Sequence, residues 1–181
     1  MADLSATTGT WVIDQSHTTI GFTVRHAMIA KVRGEFTDFS GSMTLDGANP
    51  AASSAELVAQ TASISTGNAD RDAHLKSPDF LDVEKFPTLT FTSTGVRADG
   101  DDFIVTGEFS LHGVTTTVPV EFELVGISQD PFGNTRIGFE GEATINRKDY
   151  GLVWNAALET GGVLVSDEVK ITLDVEAIKQ A

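Results

Sequence analysis

The sequence predicts an all-β protein, an antiparallel barrel with one short helical excursion between strands. Two observations predict it. The first is alternation. Ile20, Phe22 and Val24 run against Thr19, Gly21, Thr23 and Arg25, and Val118, Val120, Phe122 and Leu124 against Thr117, Glu121 and Glu123. Ile137, Phe139, Ala143 and Ile145 against Glu140, Glu142 and Thr144, and Val169, Ile171, Leu173 and Val175 against Lys170, Thr172 and Asp174, repeat it. A period of two gives each strand one apolar and one wet face. The second is turn chemistry between the runs, at Asp46-Gly47, Asp99-Gly100-Asp101, His112-Gly113 and Asp130 to Asn134. Gly and Asn supply positive φ and Pro fixes φ, which favours short antiparallel hairpins. Closing such a sheet on itself removes its edges. Its interior is then either a packed core or a lipid-sized hole.

In order, Met1 to Thr8 reads as a flexible arm, and residues 9–181 as one barrel domain without internal repeat or linker. Strands are expected at Thr10–Ile13, Thr18–His26, Arg33–Leu45, Ala55–Ile64, Thr88–Val96, Asp102–Leu111, Thr115–Ser128, Thr135–Asn146 and Glu168–Ile178. Asn68 to Ser77 lacks β-branched residues and reads as a short helix. Asn68 is its N-cap, Asp70 and Asp72 suit its positive end, and Pro78 stops it. Phe80, Leu81, Val83 and Phe86 then pack this excursion on the barrel as a lid. A second break, Arg147 to Asp167, carries Tyr150, Trp154, Leu158 and the pair Gly161-Gly162, and reads as an ordered loop or second cover.

Composition excludes several function classes. The formal net charge of -14 argues against nucleic acid, which needs Lys and Arg to replace counterions. It equally disfavours electrostatic docking on anionic lipid surfaces. The absence of cysteine excludes disulfides and thiolate metal sites. No run approaches a membrane span of roughly 18 apolar residues. The polar start has no apolar h-region, so a cytoplasmic location is expected, or a periplasmic or secreted one if a leader was removed.

Catalytic signals are missing. His17, His26, His74 and His112 show no metal-ligand spacing, so no metal and no other cofactor is expected. There is no nucleophile elbow and no phosphate loop. Most carboxylates alternate with apolar residues and read as solvated faces. His26, in register with Ile20, Phe22 and Val24, is expected to face the interior near a strand end. There it is either a satisfied buried histidine or a contact for a ligand head. Arg71, Asp72 and His74 lie within one helical turn beside the lid. Arg71 is expected either to bridge to a barrel carboxylate or to hold a polar head group at the mouth of an apolar hole. Arg147-Lys148 is a second basic pair.

The ordered motifs resemble one family. They are Trp11-Val12-Ile13-Asp14 with Ser16-His17, Ile20-x-Phe22-x-Val24-x-His26, Gly34-x-Phe36 with Phe39-x-Gly41, and Ala62-Ser63-Ile64-x-Thr66-Gly67-Asn68. Arg71-Asp72-x-His74-Leu75, Phe80-Leu81-Asp82, Phe86-Pro87-x-Leu89-x-Phe91, Gly107-x-Phe109-x-Leu111-x-Gly113 and Ile145-Asn146-Arg147-x-Asp149-Tyr150-Gly151-Leu152 follow. In order and spacing they resemble the YceI-like family of lipocalin-like polyisoprenoid-binding proteins, from about Gly9 to Ile178. The resemblance implies a lipocalin-like barrel whose elongated apolar interior holds an isoprenoid tail, a quinone or polyprenyl phosphate, without catalysis.

Composition agrees with such a ligand. There are 11 Phe against 2 Trp and 1 Tyr, giving apolar wall with few polar handles. Burying ~20 methylene-sized groups yields about 16 kcal/mol gross, against about 1 kcal/mol for one head-group hydrogen bond. The tail therefore sets affinity and the head selectivity. The expected ligand-binding residues are Phe22, Val24, His26, Phe36, Phe91, Phe109, Phe122 and Phe139 on the wall, with Arg71 and His74 at the lid. The expected partner is an isoprenoid or other long-chain lipid, with a homodimer left open, and no nucleic acid. The alternatives are an enzyme acting on such a lipid through His26, Arg71 or His74, and a filled structural or stress-response barrel.

Overall fold

The computed structural model describes residues 3–158 and 163–181. Eleven strands form one antiparallel sheet: β1 (Gly9–Ile13), β2 (Thr19–His26), β3 (Ala30–Phe36), β4 (Phe39–Leu45), β5 (Ser54–Gln60), β6 (Ile64–Ser65), β7 (Thr88–Asp99), β8 (Asp102–Leu111), β9 (Val114–Gln129), β10 (Thr135–Asn146) and β11 (Glu168–Lys179). Among the described residues one α-helix, α1 (Ala69–Lys76), lies between β6 and β7. The ring β1-β4-β5-β7-β8-β9-β10-β11 closes where Trp11 on β1 meets Lys179 on β11.

The other three strands continue ring strands past a break. β11 pairs with β1 near its end and with β2 over Lys170–Asp174, so β1 and β2 are two halves of one ribbon. β3 and β4 share a second ribbon, broken at Thr37-Asp38, and β5 and β6 a third, broken by a 3-10 turn at Thr61–Ser63. Side chains replace the lost ladder bonds at the breaks. Asp14 accepts from Ser16 N (3.0 Å), and Thr18 Oγ1 both donates to Glu176 O (3.1 Å) and accepts from Glu176 N (3.0 Å). Thr61, almost fully buried, donates its hydroxyl to Phe86 O (2.7 Å) and so ties the excursion to the barrel.

Two apolar clusters fill much of the barrel. One gathers Ile20, Phe39, Ile64, Leu89, Phe109 and Leu111 with Leu81, Tyr150 and Leu152 of the two excursions. The other surrounds Trp11 with Met43, Ile137, Val175 and Ala177. Within the N-terminal stretch, Leu4 is half-buried and Ser5 and Ala6 are exposed. Ser5–Thr7 is a 3-10 turn, Thr7 is buried, and the Trp11 indole N–H donates to Thr7 O (2.7 Å). A buried indole requires an acceptor, and this turn brings one.

Candidate functional site

The centre of the barrel is open. A cavity of about 200 Å³ lies inside, bounded by strands on all sides. Phe22, Phe36, Phe91, Phe109, Phe122 and Phe139 line it. Phe109 is buried, yet the other five are only half-buried although they point inward. A ring enclosed by packed neighbours would be fully buried, so these rings face open space.

Glycines make that space. A Cβ on Gly34 would stand 2.4 Å from Phe22 Cζ, one on Gly107 2.4 Å from Phe91 Cζ, and one on Gly141 2.5 Å from Phe122 Cε1. Gly34 and Gly141 are the cross-strand register partners of Phe22 and Phe122. Each ring lies over the neighbouring strand, along the wall, and leaves the axis clear.

The polar border of the cavity lies at the β4–β5 connection. Asp46, Ser53, Ser54 and Glu56 meet it there, beside Leu4 and Thr7 of the N-terminal turn. Asp46 Oδ1 accepts from Ala48 N (3.0 Å) and Asn49 N (2.9 Å), and Gly47 N donates to Thr8 Oγ1 (2.9 Å), which binds the turn to this connection. Among the described residues, no Lys, Arg or His lines the cavity.

Four expected site residues stand elsewhere. Val24 is half-buried opposite Val32, off the cavity lining, and His26 is exposed opposite Ala30 with a bridge to Val165. Period two assigns the right face, but β2 and β3 outrun the barrel: pairing with β11 ends at Thr23 and Lys170. Arg71 is not among the lining residues, and among the described residues it enters no ion pair. Its Nε donates to Thr66 Oγ1 (2.7 Å) and its Nη2 to Thr66 O (2.9 Å), fixing the start of α1 to β6. His74 Nε2 lies 2.9 Å from Asp79 Oδ2, and its ring packs edge-on to Phe80 and Trp154. The alternative of an enzyme at the barrel mouth relied on these three polar residues, and none borders the cavity.

α1 follows the sequence reading: Asn68 Oδ1 accepts from Arg71 N (3.0 Å) as N-cap. The second break is a cover pinned by Arg147. This buried side chain donates to Ser166 O (2.9 Å), Leu152 O (2.6 Å), Trp154 O (2.9 Å) and Val165 O (3.3 Å). Burial pulls its pKa below the ordinary arginine value, and Asp167 opposes that. The pair Gly161-Gly162 lies outside the described residues.

An ion cluster that sequence reasoning missed sits where β1 breaks into β2. Asp14, His17 and Glu176 bring one ligand-type atom each within 4.8 Å of one another. Arg136 Nη1 lies 2.7 Å from both Asp14 Oδ2 and Glu176 Oε1, and its Nε 2.7 Å from Asp130 Oδ2. These bonds hold Asp14 and Asp130 below the usual carboxylate range and raise Arg136. The carboxylate oxygens already face a guanidinium, so the cluster reads as a structural tie. Glu176 is remote in sequence, and no local spacing could have revealed it.

A closed antiparallel barrel around an apolar cavity defines a lipocalin-like architecture. The chain belongs to the YceI-like family, whose domain model, "YceI-like domain", matches residues 11–177. It is 43% identical over 164 residues to a UPF0312 protein of Pseudomonas aeruginosa (strain LESB58), spanning 91% of this chain and 83% of that one. It is 40% identical over 178 residues to Protein YceI of Escherichia coli O17:K52:H18, with 97% and 90% covered. Among solved structures, Burkholderia cenocepacia BcnA superposes with TM-score 0.78 at 24% identity, over 91% of this chain and 98% of that one. A polyisoprenoid binding domain from Saccharophagus degradans, implicated in plant cell wall breakdown, superposes with TM-score 0.70 at 18% identity, over 94% and 98%. At these identities the two structures establish the shared fold.

Proposed function

We propose that this protein binds and carries, or stores, an isoprenoid-like amphiphile with its tail in the barrel cavity. The observation that carries this reading is the set of five inward-pointing, half-buried phenylalanines, three of them lying over glycines, around an apolar hole. An apolar hole of this kind gains by exchanging water for a tail. The name of the Saccharophagus degradans domain agrees with that ligand class. The lining is made chiefly of aliphatic and phenylalanine side chains, which suits holding a tail, so the reading is carriage, not turnover. Between the two head groups the geometry favours a neutral one such as a quinone. The described lining is apolar with a few serines and the acids Asp46 and Glu56 at one end, and it holds no cation to pair with a phosphate.

Native mass spectrometry of the purified protein, followed by organic extraction, tests this directly. A co-purifying apolar mass, or uptake of an added isoprenoid quinone, is the expected result. Phe122→Asp and Phe139→Asp should abolish uptake while circular dichroism shows the barrel intact, because a charge in an apolar wall carries a desolvation penalty. Folded variants that take up quinone as well as the parent would refute the site, and tighter binding of a polyprenyl phosphate would refute the head-group assignment.

A further inference from the structure

The β2–β3 hairpin runs past the barrel and ends in an uncovered apolar tip. Its ladder continues to His26 and Ala30, beyond the last β2–β11 pair at Thr23 and Lys170. At the turn, Ile29 is 83% exposed and Met28 55%. The tip is not a frayed end. Ile29 N donates to His26 O (3.2 Å), Ala27 N to Leu164 O (2.7 Å) and Ser166 N to Arg25 O (3.0 Å). Ala27 and Met28 both adopt positive φ, +50° and +64°. Asn-Gly would serve such a turn with less strain, so stability alone does not account for a methionine and an isoleucine held out in water.

The hairpin's own charge is opposite to that of the molecule, although Asp167 and Glu168 run beside Arg25. Arg25 and Lys31 face each other across the hairpin and Arg33 faces Thr23, all three exposed and on one face. No acidic residue occurs between Asp14 and Glu35, although the chain carries 26 Asp and Glu against 12 Lys and Arg. Among the described residues, none of these three cations enters an ion pair. Like charges placed directly opposite on a ladder repel, and an external anion relieves that. The acids gather on the barrel wall instead, where Asp102, Glu123, Glu140 and Asp174 form one cross-strand row. The net charge that disfavours anionic surfaces on average is therefore unevenly spread, and its field turns the hairpin toward them.

We propose that the β2–β3 hairpin docks this protein on an anionic lipid bilayer, with Met28 and Ile29 entering the acyl boundary and Arg25, Lys31 and Arg33 meeting the head groups. The tip is too narrow for a stable protein interface, which buries about 800 Å² on each partner. Two apolar side chains at the tip, with three cations behind them on one face, fit the boundary between acyl chains and head groups. This docking is independent of what the cavity holds.

Sedimentation with large unilamellar vesicles tests it, comparing pure phosphatidylcholine with an equimolar phosphatidylcholine and phosphatidylglycerol mixture. The parent should bind the mixed vesicles, more weakly at high salt, and bind the neutral ones at least about tenfold less, since each basic side chain near an anionic surface contributes about fivefold. Ile29→Asp should lose binding about tenfold or more. A variant with Ala27→Asn, Met28→Gly and Ile29→Thr should melt no lower than the parent, because its turn is relaxed, and should still lose binding. Arg25→Gln, Lys31→Gln and Arg33→Gln together should remove the preference for phosphatidylglycerol. A parent that ignores both vesicles, equal binding to both, or tip variants that bind like the parent would overturn the proposal.

Discussion

The ring of Phe122 lies so close to the backbone of Gly141 that a Cβ there would stand 2.5 Å from its Cε1. The two residues are register partners on β9 and β10. The glycine therefore sets where the ring goes, and the ring sets how much of the barrel stays open. We expect Gly141→Ala to destabilise the fold by about 1–3 kcal/mol through overpacking, where an ordinary strand glycine would gain from the change. Phe122→Leu should recover most of that loss in the double variant, as a urea-denaturation cycle would show. Additive effects would refute the contact.

Arg147→Met should be far more damaging than its loop position suggests. It strips a donor from the carbonyls of Leu152, Trp154, Val165 and Ser166. We expect a loss of about 3–5 kcal/mol, read as a lower urea midpoint. Proteolysis between Lys148 and Ser166 should increase. A change within 1 kcal/mol, on the order of an ordinary surface substitution, would refute the pinning role.

The Arg136 cluster gives the stability an acid limb. Arg136 is the leading reason that Asp14 and Asp130 sit below the usual carboxylate range. In the unfolded chain both titrate near about 3.9, so on acidification the unfolded state takes up protons first. Their contribution is complete above about pH 5 and is lost as pH falls through 4 and below, toward the folded-state values. We expect the melting-temperature gap between the parent and Arg136→Met to be widest near neutrality and to shrink toward pH 2. A gap that does not change with pH would refute the linkage.

Arg71→Ala should leave isoprenoid uptake unchanged within about twofold while loosening α1. Its two bonds end on Thr66, and their loss should cost about 1–3 kcal/mol of stability. A large loss of uptake in a folded variant would mean that the helix reaches the ligand after all.

The outline of the barrel was legible because alternation is a local signal. Asp102–Leu111 and Thr135–Asn146 coincide with β8 and β10, and the helix lies within the expected stretch, at Ala69–Lys76. The breaks were not legible. Arg33–Leu45 reads as one strand but divides at Thr37-Asp38, and Ala55–Ile64 divides at a 3-10 turn. Both breaks arise from partners distant in sequence, since Thr37 bonds Ser63 O and Thr61 bonds Pro87 O. The phenylalanine wall could be read from period two alone. The polar border could not, because Leu4 and Asp46 to Ser53 belong to turns without periodicity. His26 shows the limit of period two, which fixes the face of a strand but not the height at which the barrel ends.

The closing strand has a consequence for how the chain comes to be folded. β11 supplies the partner for β1, β2 and β10, and Gln180 N–H donates to Thr10 O (2.8 Å). During synthesis β1 and β2 must therefore wait, one edge unpaired, until Glu168–Lys179 has left the ribosome. Pairing so distant in sequence makes folding slow and leaves a sticky edge meanwhile. It also leaves the start of β1 and the end of β11 side by side. A circular permutant that joins them and opens the exposed turn near Phe132 would keep every ladder, yet turn the slowest pairing into a hairpin.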